Sequence, residues 1–367
     1  MPTQIFNIVN SVVSQAMGST AITAVDNTGL VAMGNTILSS SANTEAFLNT
    51  LVQRIGRTII SYRRYKSQFD DLVLSDMEYG NIVQKIKVSM PVAESDESYG
   101  LTDGTSVDMY KVRKPDVSQK FFTTETPYQL VVTVQRVHLK DAFTSGDAME
   151  RFISAIFGEV QNKIELSLET LARNAINNMI AEKVKANAVI NLATTYTGRI
   201  SGDPFADPDF LRYAIGQIKL FSRRMTSMST LYNDGSETRH TPKEYQKLYV
   251  LADFETAAET VVQYAAFNDE FVRLDGYKEV PYWQSAVRPG KINVVPASGG
   301  DAVSQNGIIA VLFDRDALGV YKREEWTSTT PFNSAGGYAN TFWHMRDIWF
   351  NDMSENFIVF TAEATGD

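Results

Sequence analysis

The sequence predicts an α+β fold built on one long helix, and three observations predict it. Across GDAMERFISAIFGEVQNKIELSLETLARNAINNMIAE, residues 146 to 182, apolar side chains recur every three or four positions, the period of a single helical face. They are Met149, Phe152, Ile153, Ile156, Phe157, Val160, Ile164, Leu168, Leu171, Ala175, Ile176 and Met179. Two earlier stretches, EYGNIVQKIKVSMPV at 78 to 92 and YQLVVTVQRVHL at 128 to 139, alternate apolar and polar residues with the period of a strand. From Gly307 the chain turns to apolar strands, GIIAVLFD, LGVYKREEW and the aromatic-rich ANTFWHMRDIWFNDMSENFIVFTAEA, which would close a sheet against the long helix. That helix would be roughly 55 Å long at about 1.5 Å per residue, more than most compact enzyme domains require. Asp147 followed by Glu150 is placed to cap its start.

Residues 1 to 44 are rich in Ser, Thr, Asn, Gly and Ala, and are expected to form a flexible arm that orders only against neighbours. Helical spacing then begins at Phe47, Leu51, Ile55 and Ile59, and the stretch 54 to 66 holds Arg54, Arg57, Arg63, Arg64 and Lys66 with no acidic residue. It reads equally as an electrostatic docking strip or as a solvated helix face. In the 78 to 92 strand the apolar set is Ile82, Ile86, Val88 and Met90, as expected of a half-exposed strand. Residues 93 to 108 carry Glu94, Asp96, Glu97, Asp103 and Asp108, and Lys111, Arg113, Lys114 and Lys120 follow. So long a polar insertion between strands is unusual unless it is mobile or reaches a partner, and an acidic tip beside a basic stem suits pairing with neighbouring subunits. The plainer alternative is a solvated loop. Past the long helix, TYTGRISGDPFADPD supplies Gly and Pro punctuation. Asp209 then begins a helix with Phe210, Leu211, Ala214, Ile215, Ile218 and Phe221 on one side. KLYVLADFETAAETVVQYAAFN reads as a strand running into a helix, giving a mixed lobe.

With 367 residues, 44% hydrophobic and 21% charged, the chain has room for two or three packed subdomains. The absence of cysteine excludes disulfides, thiolate metal sites and cysteine nucleophiles. A net charge of -9 opposes general affinity for nucleic acid, so any contact with DNA is expected to be local or weak. The first 53 residues contain no Lys or Arg, so the basic region of a secretory signal is missing, and no apolar run reaches about 18 residues.

The sharpest enzymatic pattern is GIIAVLFDRDALG, an apolar strand ending in Asp314 and Asp316, which resembles the nucleophile loop of haloacid-dehalogenase-type phosphatases. Only 51 residues follow Asp316, too few for the rest of that sheet and its magnesium ligands, and Ala317 and Leu318 replace the expected Gly-Thr. His138, His240 and His344 lack metal-site spacing, and neither a Gly-x-Ser-x-Gly elbow nor a phosphate-binding loop is present. Glu324 and Glu325 are adjacent and would point to opposite faces of a strand. Trp326, Phe332, Tyr338, Phe342, Trp343, Trp349 and Phe350 fit packing between sheet and helix better than a stacking platform. No catalytic, cofactor-binding or metal-ligating residue is assigned, and no cofactor is expected.

Five segments in this order, AFLNTLVQRIGRTII, AFTSGDAMERFISAIFGEVQNKIE, KLYVLADFETAAETVVQYAAFN, IIAVLFDRDALGVYKREEW and YANTFWHMRDIWFNDMSENFIVFTAEA, resemble the major capsid proteins of tailed bacteriophages. The likeness spans roughly residues 44 to 363 and is nearest to short-tailed phages of Bacillus-like hosts. It implies the Hong Kong 97-type capsid fold, with an N-terminal arm at 1–74, an extended loop (E-loop) at 75–127, a peripheral domain with the spine helix at 128–190 and 308–367, and an axial domain at 191–307. No C-terminal immunoglobulin-like domain is expected beyond Ala364. The implied function is a non-enzymatic head protein whose copies form pentamers and hexamers of an icosahedral or prolate shell around double-stranded DNA. It would assemble in the host cytoplasm into the virion, with a separate scaffolding protein and a portal as further partners and no membrane. An encapsulin-like compartment is the alternative within the fold, and a magnesium-dependent phosphohydrolase using Asp314 and Asp316 the alternative outside it. Intersubunit contacts are expected at Glu94, Asp96 and Glu97, at Lys111, Arg113 and Lys114, and at Arg54, Arg57, Arg63 and Arg64.

Overall fold

A computed structural model describes residues 2–18, 23–55, 65–74, 82–198, 200, 202–262 and 276–363. The helix opening at 146 is present and runs past its apolar period to Lys185, with a π-turn at Ser154–Gly158 joining α5 (Gly146–Ile153) to α6 (Glu159–Lys185). Ser145 caps it, in place of the expected Asp147 and Glu150: its hydroxyl accepts the Ala148 amide at 3.1 Å. At the far end Asn187 adopts a left-handed φ of 52° and the Ala188 amide reaches back to the Lys183 carbonyl, closing the helix.

The N-terminal segment differs from expectation. Its described residues are not an arm awaiting neighbours but three helices, α1 (Pro2–Met17), α2 (Asn27–Leu38) and α3 (Ser41–Ile55), packed within their own chain. Val9, Val12, Leu30, Met33, Ile37, Phe47 and Leu51 are buried in the same apolar core as the spine. Gly34 is required where α2 passes the side chain of Phe143, because a Cβ there would lie 2.5 Å from that of Phe143. The serine-rich and asparagine-rich composition masks a regular apolar period, and polar side chains there hold a helix start and a connecting segment. Asp26 accepts the Gly29 amide at 2.7 Å, and Asn10 brackets Ala24 with hydrogen bonds of 2.7 and 2.8 Å.

The four-stranded sheet is ordered β1-β11-β12-β4, from β1 (Val73–Leu74), β4 (Glu125–Gln135), β11 (Leu318–Thr329) and β12 (Tyr338–Asn351). The strand expected over 128–139 ends at Gln135 and turns into α4 (Arg136–Ala142), because Leu139, Ala142 and Phe143 bury at helical spacing. One face of the sheet lies on the spine, where Phe157 meets Trp343 edge-on with ring centroids 5.9 Å apart. β2 (Val83–Val88) and β3 (Val117–Phe122) form a separate hairpin.

The second sheet runs β5-β13-β10-β6-β7, built from β5 (Val189–Asn191), β6 (Gln246–Leu251), β7 (Tyr277–Val280), β10 (Ile308–Asp314) and β13 (Phe357–Thr361). Every residue of β10 and β13 is buried, which is why IIAVLFD and FIVFT are continuously apolar. This sheet joins strands from the stretch expected as axial with strands from the stretch expected as peripheral. Beside it lie α7 (Leu192–Thr195), α8 (Pro208–Arg224), α9 (Ala252–Ala257) and the pair β8 (Ile292–Val294) and β9 (Val303–Gln305). Asp207, rather than Asp209, caps α8, accepting the Asp209 amide at 2.9 Å.

A buried polar stripe on α6 ties this half to the spine. Arg173 donates to Glu169 at 2.6 Å and to the Tyr282 carbonyl at 2.7 Å while stacking 4.0 Å from the Tyr282 ring, and Asn177 donates to the Trp283 carbonyl at 2.9 Å. Arg173→Met takes the paired guanidinium from the buried Glu169 carboxylate, which keeps only neutral donors such as the Tyr65 hydroxyl and the Gln68 amide, so it should cost roughly 3–5 kcal/mol in urea melts. A loss below about 1 kcal/mol would contradict that role. Further along, Lys183 donates to the carbonyls of Tyr232 and Asn233, each at 3.0 Å, and burial pushes its ammonium down to about 8 despite the opposing charge of Asp234. Since the folded state gives up this proton first, the penalty is complete below about pH 8 and is relieved as pH rises toward the ordinary 10.5. Wild type should therefore gain roughly 3 kcal/mol relative to Lys183→Met between neutral pH and the ordinary lysine value. A pH-independent difference between the two melts would contradict it.

Candidate functional site

The hairpin β2–β3 is inside out. In register, Lys85 lies opposite Lys120 and Ile86 opposite Gln119, so Val83, Lys85, Lys87, Ser118, Lys120 and Phe122 share one face, and Ile86, Val88, Val117 and Phe121 share the other. The lysine face docks on the body of the chain. The apolar face is the solvent face, with Ile86 58%, Val88 61% and Phe121 56% exposed. Sequence alternation gave the right strand and left the choice of face open. The apolar set Ile82, Ile86, Val88 and Met90 of the half-exposed strand turns to solvent: all four are exposed.

What draws the lysines inward is the turn between β12 and β13. Asp352, 1% exposed, receives Lys85 at 2.9 Å, Lys87 at 2.7 Å and Lys120 at 2.9 Å. Glu355 receives Lys85 at 2.8 Å and Lys87 at 3.1 Å. Lys87 also donates to Ser354, Lys85 to the Asp316 carbonyl at 3.0 Å, and Ser118 to Glu237 at 3.1 Å. Burial pushes the Asp352 carboxyl up, but the bonded Lys87 ammonium and the adjacent Lys85 charge outweigh it and hold the group far below the usual carboxylate range. The charge of Lys85 is held on in turn: burial disfavours it, and Glu355 and Asp352 outweigh burial. The sequence pattern marks Lys120 as part of the basic run after the acidic tip, and does not single out Lys85, Lys87, Asp352 or Glu355. The lysines at 85 and 87 were visible as a same-face pair, but nothing in the sequence placed two carboxylates beneath them.

Beyond this foot, residues 90 to 117 are exposed throughout. The acidic tip and basic stem meet within the chain: Arg113 donates to Glu94 at 2.8 Å and Lys111 lies 3.6 Å from it. Hydrogen bonding from Arg113 holds the Glu94 carboxyl down at about 2. Asp96 caps its own turn through the Ser98 amide at 2.9 Å, while Glu97 and Lys114 are exposed. An exposed pair of this kind contributes little to stability and is readily exchanged for a partner's charges. Arg57, Arg63 and Arg64 lie outside the described residues, as does the side chain of Arg54 on α3.

Asp314 is buried, accepting the Thr241 hydroxyl at 2.8 Å and the Asp316 amide at 2.9 Å, and burial pushes its carboxyl up. It shapes the β10–β11 turn, with Asp316 exposed beside it. Among the described residues no group of three or more His, Asp or Glu is placed to hold a metal ion, and no helix is long and apolar enough to cross a membrane. Of the aromatic cluster, Trp343 and Phe350 are buried, whereas Trp326 stands 47% exposed and stacks on His344 at 3.9 Å.

A family model for the Phi29-like phage major capsid protein matches residues 7–361. The chain belongs to that family. The major capsid protein of Bacillus phage GA-1 is 20% identical over 318 residues, covering 87% of this chain and 61% of the relative. That of Streptococcus phage Cp-1 is 23% identical over 227 residues, covering 60% of each. The chain thus spans about three fifths of the length of these curated relatives. The capsid structure of Staphylococcus phage Andhra superposes with a TM-score of 0.56 at 11% identity, over 84% of this chain and 87% of that one, a likeness of fold. The fold is the Hong Kong 97-type capsid fold, α+β, in agreement with what the sequence resemblance implies. For a family of coat proteins, an unpartnered apolar hairpin face is the feature with an evident use.

Proposed function

We propose that this chain acts by assembly rather than catalysis, many copies packing as pentamers and hexamers into the icosahedral or prolate shell of a tailed-phage head around double-stranded DNA. One observation carries it: the hairpin buries lysines and presents Ile86, Val88, Val117 and Phe121 to solvent. A soluble monomer gains nothing from that arrangement, whereas a second copy covering the face removes the apolar surface from water at roughly 25 cal/mol per Å². Each such contact is modest, and a closed symmetric shell repeats it at every subunit. The long β4 edge, unpaired among the described residues, is a second surface that another copy would satisfy.

The proposed parts are an N-terminal region at 1–74, the extended loop at 75–127, a peripheral domain on the spine and four-stranded sheet, and an axial domain from 191–307 to which β10 and β13 lend strands. In this scheme Glu94, Lys111 and Arg113 exchange their internal pairing for contacts with a neighbour, Asp96, Glu97 and Lys114 add to those contacts, and the basic residues Arg54, Arg57, Arg63 and Arg64 dock nearby. A separate scaffolding protein and a portal complete the head, contact with packaged DNA is weak at a net charge of -9, and assembly takes place in the host cytoplasm before the shell becomes part of the virion. Negative-stain electron microscopy with light scattering, on protein expressed alone and with a candidate scaffold, tests this. Uniform shells or capsomers are expected, and a monodisperse monomer under all conditions would overturn it.

A further inference from the structure

We infer that Asp352 and Glu355 form an ionic clamp that fixes the hairpin to its own body and so dictates which face of the hairpin a second copy meets. Three hairpin lysines from two strands converge on one turn, and the two carboxylates receive them through five contacts of 2.7 to 3.1 Å. The chemistry is unlike the exposed ion pairs at the hairpin tip. Lys87 is 6% exposed and Asp352 1%, so neither is screened appreciably by salt, and removing Asp352 takes away the shared partner of three lysines, leaving the buried Lys87 only Glu355 as its counterion in the cluster.

The position of the clamp gives it leverage. It grips the paired segment Val83–Val88 and Val117–Phe122 just before the exposed run 90 to 117, with Phe122 against Phe350 at 5.3 Å as its apolar complement. A two-stranded hairpin is marginal by itself, and turning it over by one face would bury Ile86 and Phe121 and release the lysines. The carboxylates decide against that alternative. They make lysine, rather than isoleucine or phenylalanine, the inward residue, and hold the apolar face available at a fixed angle. Arg239 and Glu237 close the periphery of the same cluster, Arg239 lying 3.9 Å from Glu355.

The clamp is a property of the single subunit; only the identity of the partner rests on the shell proposal. Hydrogen–deuterium exchange on the full-length free subunit therefore tests it without shells. Asp352→Asn, nearly isosteric, should raise exchange at residues 83–88 and 117–122 at least about tenfold while leaving the β10–β13 ladder protected. Lys87→Met should do the same, and the double variant should exchange less than the product of the two single effects, because the two changes share the Lys87–Asp352 pair while Asp352 also holds Lys85 and Lys120 and Lys87 also reaches Glu355. Lys120→Met, at a more exposed site, should fold in any case and give a smaller rise confined to the hairpin. Unchanged hairpin exchange in Asp352→Asn or Lys120→Met, or effects of Asp352→Asn and Lys87→Met that multiply in the double variant, would overturn the clamp. Absence of shells in the assembly experiment would leave it standing.

Discussion

Ile86→Asp combined with Phe121→Asp is expected to abolish shell formation while leaving a folded subunit. Both side chains lie on the outward face, more than half exposed, so within the chain they support little and aspartate costs within about 0.5 kcal/mol. In an assembled shell the same substitutions put two carboxylates into an apolar contact at every copy, each without a counterion. Circular dichroism and thermal melting should match wild type, and sedimentation should show free subunits or small capsomers only. Normal shells from the double variant would mean that this face is not an interface. A misfolded variant would mean that the hairpin packs by its apolar side after all.

Deleting residues 2–38 is expected to prevent the subunit from folding, which separates the observed N-terminal helices from a dispensable arm. The deletion removes Val9, Val12, Val13, Leu30, Met33 and Ile37, all essentially buried, and uncovers Phe47 and Phe143. It also takes away the Leu38 carbonyl that accepts Arg136 at 2.8 Å and the Asn27 side chain that accepts the Gly146 amide at 3.1 Å, at the entry to the spine. At roughly 1.5–3 kcal/mol per large buried apolar side chain, the loss matches or exceeds the whole stability of a typical domain, about 5–15 kcal/mol. Insoluble protein, or soluble protein without a cooperative melt, is the predicted result. A soluble deletion melting like wild type would restore the arm.

The long helix, the buried strands and the family were legible in the sequence because each leaves a signal longer than local noise. A helical period sustained from Met149 to Met179 admits no strand, and FIVFT with IIAVLFD has the continuous apolarity of strands covered on both faces. The N-terminal helices were written in the same code, with Leu30, Met33, Ile37 and Leu38 at regular spacing, but composition was weighed above period there. The starts of the spine and of α8 lie two residues before the acidic residues expected there, because Ser145 and Asp207 hold the caps and the neighbouring Asp147 and Asp209 offer rival ones. The site was legible in its parts only. Tip and stem charges showed as a pattern, whereas the hairpin's orientation depends on Asp352 and Glu355, more than two hundred positions from the lysines they bind. A period of two cannot say which face turns inward when the inward partner is a carboxylate instead of a core.

Because the chain has no cysteine, one introduced thiol is an unambiguous reporter. Ile86→Cys, on the outward face, should react with a maleimide at the rate of an exposed thiol in free subunits and become protected, by tenfold or more, once the subunits are assembled into shells. Equal reactivity before and after assembly would contradict the claim that this face is where one copy meets the next.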